Sequence, residues 1–279
     1  MAIIPSQLKT RDNLTLKIRS WEVANPRAIV FLIHGFGEHA GRYEHVGKFF
    51  NQHNMTLTAL DLRGHGESEG RRGHAPNFDA YLDDIHLFTF SIYKLFLKTP
   101  LFLYGHSMGG NLVLNYLIKR DPMMLRGIIT TGPWIRLAFE PKPYMITLGK
   151  IMRKIYPSFS QPSGLIEEHV SKDPIVVKDY INDPLNHSSI TASAGMGLTE
   201  SAAFLNKFRG LVTISALIMH GSEDLITSQS ASEEFVDRVK CGDMTYKKWD
   251  GMYHEVHNEP DKLTVLNYTL DWMNERIYD

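Results

Sequence analysis

The sequence predicts an α/β fold, a mostly parallel sheet flanked by helices, with a helical segment inserted late in the sheet. Three observations carry this. Short β-rich runs alternate with longer stretches whose apolar residues recur every three or four positions. The clearest of those runs, at 28–33, is apolar throughout, as in a strand buried on both faces. From about Gly132 to Phe208 the alternation lapses, over far more than the roughly 2–6 residues of an ordinary strand–helix loop.

Each element follows from its residues. Stretches 8–10 and 14–23 flank Arg11-Asp12-Asn13 and read as a hairpin. Residues 28–33 form a buried strand, 43–52 a helix and 55–60 a second strand. Tyr81, Ile85, Phe88, Ile92 and Phe96 place a long helix over 77–97. A strand at 101–104, a helix at 108–119 and a strand at 126–130 come next. After the interruption, strands at 216–220 and 244–249 alternate with helices at 231–240 and 261–278. The expected organisation is a core of 1–131 and 209–279 with an inserted cap at 132–208. Within that cap, 144–156 is amphipathic: Ile146, Leu148, Ile151, Met152 and Ile155 are apolar, whereas Lys150, Arg153 and Lys154 are basic. Short Pro- and Ser-rich segments follow it.

Composition narrows the class. Of 279 residues, 43% are hydrophobic and 22% charged, ordinary for a globular chain that can bury a sizeable core. Thirty basic residues against 31 acidic give a net charge of −1, so no global field points to nucleic acid. Cys241 is the single cysteine, which rules out an internal disulfide and leaves no CxxC or Cys/His set for zinc. The first residues lack a basic segment followed by an apolar run, so no signal peptide is expected. No stretch reaches the roughly 18–20 apolar residues that span a bilayer. A cytoplasmic protein is the expectation.

The chemistry centres on Gly105-His106-Ser107-Met108-Gly109. A GxSxG match arises by chance in about one chain in ten of this length, so context decides. The motif joins an apolar strand to a helix opened by Met108-Gly109-Gly110, the strand–turn–helix setting of a nucleophile elbow. Its glycines permit a crowded turn, and Ser107 is presented at a helix N-terminus that favours developing negative charge. A serine hydroxyl needs a base, and the order expected is Ser, acid, His. His254 follows the last strand and is the candidate base; His257 is a rival with a longer reach. Asp224, after the preceding strand, is the candidate partner of that base. Adjacent Glu223 ranks below it, because consecutive side chains leave a loop in different directions. Oxyanion donors are expected from the backbone N–H of Phe36, in His34-Gly35-Phe36-Gly37, and of Met108. Asp61-Leu62-Arg63-Gly64-His65-Gly66-Glu67-Ser68 suits a rigid supporting loop.

HGFGEHAGRY, DLRGHGESEG, GHSMGG, HGSED and GMYHEVHNE together resemble the monoacylglycerol lipase and lysophospholipase branch of the α/β-hydrolases, and the likeness extends over nearly the whole chain, YINDPL included. GHSMGG is widely shared, whereas GEHAGRY after HGF is selective. The resemblance implies that Glu38, Arg42 and His257 line a glycerol pocket. Tyr180, before its Asn-Asp-Pro turn, resembles a pocket-lining tyrosine. It further implies an apolar acyl channel under a cap that can rest peripherally on a membrane. Read from the residues alone, Glu38 and Arg42 equally suit a salt bridge bracing their loop.

The resulting expectation is a serine esterase of lipid esters, with monoacylglycerol foremost, working through an acyl-serine and requiring no metal or organic cofactor. Lysophospholipase or broad carboxylesterase activity is the alternative, followed by thioesterase or peptidase chemistry on the same scaffold. A catalytically silent ligand-binding protein is the non-enzyme alternative, disfavoured because all three triad residues are present.

Overall fold

The computed structural model describes residues 3–120 and 124–277. In chain order the elements are β1 (Gln7–Lys9), β2 (Thr15–Trp21), β3 (Ile29–Ile33), α1 (Glu44–Gln52), β4 (Thr56–Leu60), α2 (Phe78–Tyr93), β5 (Leu101–His106), α3 (Met108–Lys119) and β6 (Gly127–Thr131). Then come α4 (Pro143–Ile155), β7 (Ser160–Pro162), α5 (Pro174–Asn182), β8 (Ser189–Thr191), α6 (Ala192–Lys207) and β9 (Leu211–Val212). The chain closes with β10 (Ser215–Gly221), α7 (Gln229–Arg238), β11 (Lys240–Cys241), β12 (Met244–Trp249) and α8 (Lys262–Ile277). The expected last helix reached Tyr278, which lies outside the described residues.

Eight strands form one sheet in the order β1-β2-β4-β3-β5-β6-β10-β12. β1 and β2 make the antiparallel edge, and β2 runs antiparallel to β4. From β4 onward every pairing is parallel. Successive side chains of a strand point to opposite faces, and the sheet is apolar on both. Phe31, Ile33, Leu101 and Leu103 pack on one side with Phe88, Leu112, Tyr116 and Phe235. Val30, Leu32, Phe102 and Tyr104 pack on the other with Phe50, Leu266, Trp272 and Met273. Each such fully buried aliphatic or aromatic side chain contributes about 1.5–3 kcal/mol relative to exposure. This is why β3 and β5 read as unbroken apolar runs.

Register places the functional loops. Ile33 pairs Gly105, His106 pairs Thr131, Met219 also pairs Thr131, and Gly221 pairs Trp249. The carboxyl ends of β3, β5, β6, β10 and β12 therefore share one rim, where ligands bind in open parallel sheets.

Helix ends differ from the sequence expectation for identifiable reasons. The helix expected over 77–97 begins behind Asn77, whose side chain accepts the Ala80 N–H, and stops at Tyr93. Leu95 and Leu97 are exposed, and Lys98-Thr99-Pro100 disfavours continuation, since a residue before proline avoids helical backbone. The helix expected over 231–240 starts at Gln229, because Ser228 caps it by accepting the Ala231 N–H. Between β6 and β9, α4 falls where the amphipathic stretch indicated, but α5 and α6 were not expected. The sixteen-residue α6 is built from small side chains. It docks on α3 through Ser201 Oγ, which donates to Asn111 Oδ1 at 2.8 Å, and it meets α4 where Met196 abuts Gly149.

Candidate active site

Ser107 occupies the turn between β5 and α3 with φ +54° and ψ −115°, a left-handed conformation costly for a residue with a Cβ. The neighbouring glycines make the turn possible. A Cβ on Gly105 would stand 2.4 Å from Gly109 O, and one on Gly109 only 2.1 Å from Ile33 O. The backbone is locked from both sides: Ser107 N donates to Thr131 O, and Ser107 O accepts from the Asn111 and Trp134 N–H groups. Although Ser107 stands at the N-cap of α3, its side chain makes no capping hydrogen bond. The hydroxyl is thus left for other work. Met108, the first helical residue, has no intrahelical acceptor for its N–H.

Asp224 follows β10 and is saturated with donors. Its Oδ1 accepts the Ile226 and Thr227 N–H groups at 2.8 and 2.9 Å. Its Oδ2 accepts His254 Nδ1–H at 2.6 Å and the Thr227 hydroxyl at 2.8 Å. Burial pushes this carboxyl up, but the His254 imidazole and the hydrogen bonds from His220 and His254 outweigh it, holding the group well below the usual carboxylate range. His254 shows the converse. Burial lowers it, whereas Asp224, with Glu255 and Glu38 behind, raises it above an ordinary histidine.

The His254 ring packs 4.7 Å from the ring of His106, the residue before Ser107. It also covers Gly132, at φ +51°, where a Cβ would lie 3.0 Å from His254 Nδ1. His106 itself is pushed down to about 4 by burial and by His254. Neighbouring imidazoles are thus driven apart, one held neutral and the other kept able to take a proton, the separation that acid–base chemistry requires. Glu223, the disfavoured acid, is half-exposed and pairs with Lys172 at 2.7 Å.

The turn after β3 is held by buried polar groups. His34 Nε2 accepts the Leu62 N–H, so Nδ1 carries the proton and donates to Gly35 O at 2.7 Å. Glu38 Oε1 accepts the Gly35 N–H and the Tyr43 hydroxyl, while Oε2 accepts Arg42 Nη1 at 2.6 Å. Arg42 also forks onto Glu255 at 2.6 and 2.8 Å, and its guanidinium lies 4.5 Å over the Tyr180 ring. Burial alone would raise Glu38; the Arg42 charge reverses that and holds it at about 2. His257 is wholly buried, stacked 4.9 Å on Tyr43 and edge-on to His106 at 4.8 Å. Burial, then His106 and His45, push it far down. Beneath the turn, Asp61 accepts the Ala40 and Glu67 N–H groups and Arg63 forks onto Asp84.

Two cavities meet at Phe36. An apolar one of about 70 Å³ is lined by Phe36, Ser107, Trp134, Leu137, Phe139, Leu165, Ile190, Ile226 and Thr227. A polar one of about 240 Å³ is lined by Phe36, Ser163, Glu167, Tyr180, Asp183, Asn186, His187 and Ser188. A larger depression of about 530 Å³ lies outside, by Lys172 and Tyr253, and holds no nucleophile–base pair.

Ser107, Asp224 and His254 thus come to one rim with Phe36 and Met108. Tyr180 reaches the polar cavity, whereas Glu38 and Arg42 lie buried behind the turn, paired with each other and with Tyr43 and Glu255, and His257 is buried against the Tyr43 and His106 rings. Sequence reasoning left Gly132, Thr227, Glu255 and His220 without roles. A glycine after a strand end and a hydroxyl three residues past the acid were the signals available.

A parallel sheet carrying a strained serine elbow, with a carboxylate-bound imidazole at the same rim, defines an α/β-hydrolase. The chain belongs to the serine aminopeptidase S33 family, whose model matches residues 24–261, and within the superfamily to the branch that holds the monoacylglycerol lipases. A monoacylglycerol lipase of Mycolicibacterium smegmatis is 32% identical over 250 residues, 89% of each chain. An abhydrolase domain-containing protein of Dictyostelium discoideum is 37% identical over 274 residues; these are 98% of this chain but 29% of that longer relative. The crystal structure of the Paleococcus ferrophilus monoacylglycerol lipase superposes with a TM-score of 0.85 at 30% identity, covering 94% of this chain and 99% of that one.

Proposed function

We propose that the protein hydrolyses carboxylic esters of lipids, with a monoacylglycerol as substrate, through an acyl-enzyme on Ser107. The observation that carries this reading is Ser107 at φ +54° on the rim where Asp224 holds His254 at 2.6 Å. In the reaction, Ser107 Oγ attacks the ester carbonyl as His254 Nε2 takes its proton. Asp224 keeps the imidazole in the Nδ1–H tautomer and stabilises the imidazolium. The N–H groups of Phe36 and Met108 receive the oxyanion. His254 then protonates the departing alcohol, and water, activated by the same base, releases the fatty acid.

The two cavities support a lipid ester of a small polar alcohol. The apolar one takes the acyl chain and the polar one, with Tyr180, the alcohol; Glu38, Arg42 and His257, expected to line the alcohol site, are not among the residues lining either cavity and act from behind the turn. At about 70 Å³ the apolar cavity is well below the roughly 300–1,000 Å³ of a ligand site. Phe139, Leu165 and Ile190 close it, so residues 132–208 act as a cap that shifts to admit a chain, above a core of 1–131 and 209–279. No helix among the described residues is long and apolar enough to cross a membrane. Tyr144, Leu148, Ile151 and Ile155 nevertheless form an exposed stripe along α4, flanked by Lys150 and Lys154. This face suits peripheral contact with a lipid surface.

The test is a panel of monoacylglycerols of several chain lengths, a diacylglycerol, a lysophospholipid and short nitrophenyl esters. The expected result is the highest kcat/KM on a monoacylglycerol. Equal rates on all esters, or preference for the lysophospholipid, would defeat this assignment.

A further inference from the structure

His220, at the end of β10, is fully buried and touches the far side of the Asp224 carboxylate. Its proton can be located from its partners. Nε2 lies 3.1 Å from Thr227 O, a carbonyl that can only accept, so Nε2 carries hydrogen. The same nitrogen lies 3.0 Å from Asp224 Oδ2. Nδ1 is then the bare lone pair, and it accepts the hydroxyl of buried Ser232 at 2.9 Å. Ser232 sits on α7, so that helix fixes the tautomer and rotation of His220.

We propose that His220, pinned by Ser232, is a positioning residue for the Asp224–His254 pair. Resting on the reading of Ser107, His254 and Asp224 given above, it makes a second role for β10 and α7 explicit. Backbone N–H groups already occupy Asp224 Oδ1, and Oδ2 faces His254 and the Thr227 hydroxyl. His220 Nε2–H lies against both Thr227 O, at 3.1 Å, and Oδ2, at 3.0 Å, so it ties the carboxylate and the residue whose hydroxyl holds it to the end of β10. It also withdraws charge from the oxygen that His254 feels. His254 is otherwise faced by Glu255 and Glu38, by His106 and by His257, none of which donates to Oδ2, and by the Thr227 hydroxyl, which does. Outer donors of this kind orient a functional ligand without touching the reactant.

The experiment follows kcat, KM and the acid limb of the kcat/KM profile with nitrophenyl butyrate, normalised to sites titrated by a fluorophosphonate. In His220→Leu, kcat falls about tenfold or more, KM stays unchanged, and the acid limb moves to higher pH because Asp224 acts on His254 less shielded. A limb moving to lower pH would contradict this, since the less shielded carboxylate should raise His254. His220→Gln, whose amide N–H can replace Nε2–H, restores kcat to within about threefold. Should His220→Leu not fold, Ser232→Ala decides: it loosens His220 and lowers kcat several-fold at constant KM. Wild-type kcat and an unmoved limb in the folded variants would overturn the proposal. Activity surviving Ser107→Ala in the same assay would instead sink the reading of Ser107 on which it rests.

Discussion

The strand-end rim and the segment between β6 and β9 solve opposite problems. At the rim, the buried charged groups are paired: Asp224 receives donors on both oxygens, and Arg42 is divided between Glu38 and Glu255. Along α4 the reverse holds, with Tyr144 and Ile155 mostly exposed and Gly149 its one buried residue. The difference teaches where each region's free energy lies. Rim groups are costly to leave unpaired, since a lost partner strands a buried charge. The α4 face loses little on substitution and gains only when something apolar covers it.

The largest expected effect breaks the rim at its acid. Asp224→Asn should lower kcat about 10⁴-fold, because an amide cannot hold His254 in the Nδ1–H tautomer. Ester hydrolysis by the purified variant, with its circular dichroism unchanged, checks this. Next is the buried ion network. Glu38 titrates near 2 when folded against an ordinary 4.5; its folded value is depressed, so its stabilisation is present above 4.5 and fades as pH falls toward 2. Glu38→Gln should cost about 3–5 kcal/mol at neutral pH and flatten the decline of Tm over that window, as calorimetry across pH would reveal. The smallest effect comes from α4. Replacing Leu148 and Ile151 with Ser should change stability by about 0.5 kcal/mol or less each, while flotation with anionic vesicles diminishes.

Much of this was legible in the sequence because its signals were local. Buried strands such as β3 and β5 announced themselves as apolar runs, and Ser107, Asp224 and His254 each follow closely on a strand end. The helix α6 was not legible, since Ala, Ser and Gly give no apolar stripe; its docking is made by Leu198, Leu205 and the hydroxyls of Ser193 and Ser201. Nor could spacing tell that Arg42 turns to Glu255, 213 positions away, as well as to Glu38. The glycines were partly legible. Those of the elbow read as a turn, but the need for Gly132 appears only once His254 is laid across it.

The most direct test of the convergence of Ser107, His254 and Asp224 is mass spectrometry of the chain after brief exposure to a fluorophosphonate. One adduct is expected, on the peptide bearing Ser107, absent from Ser107→Ala and forming at least about a hundredfold more slowly in His254→Ala. An adduct elsewhere, none on the native chain, or equal labelling without the imidazole would contradict it.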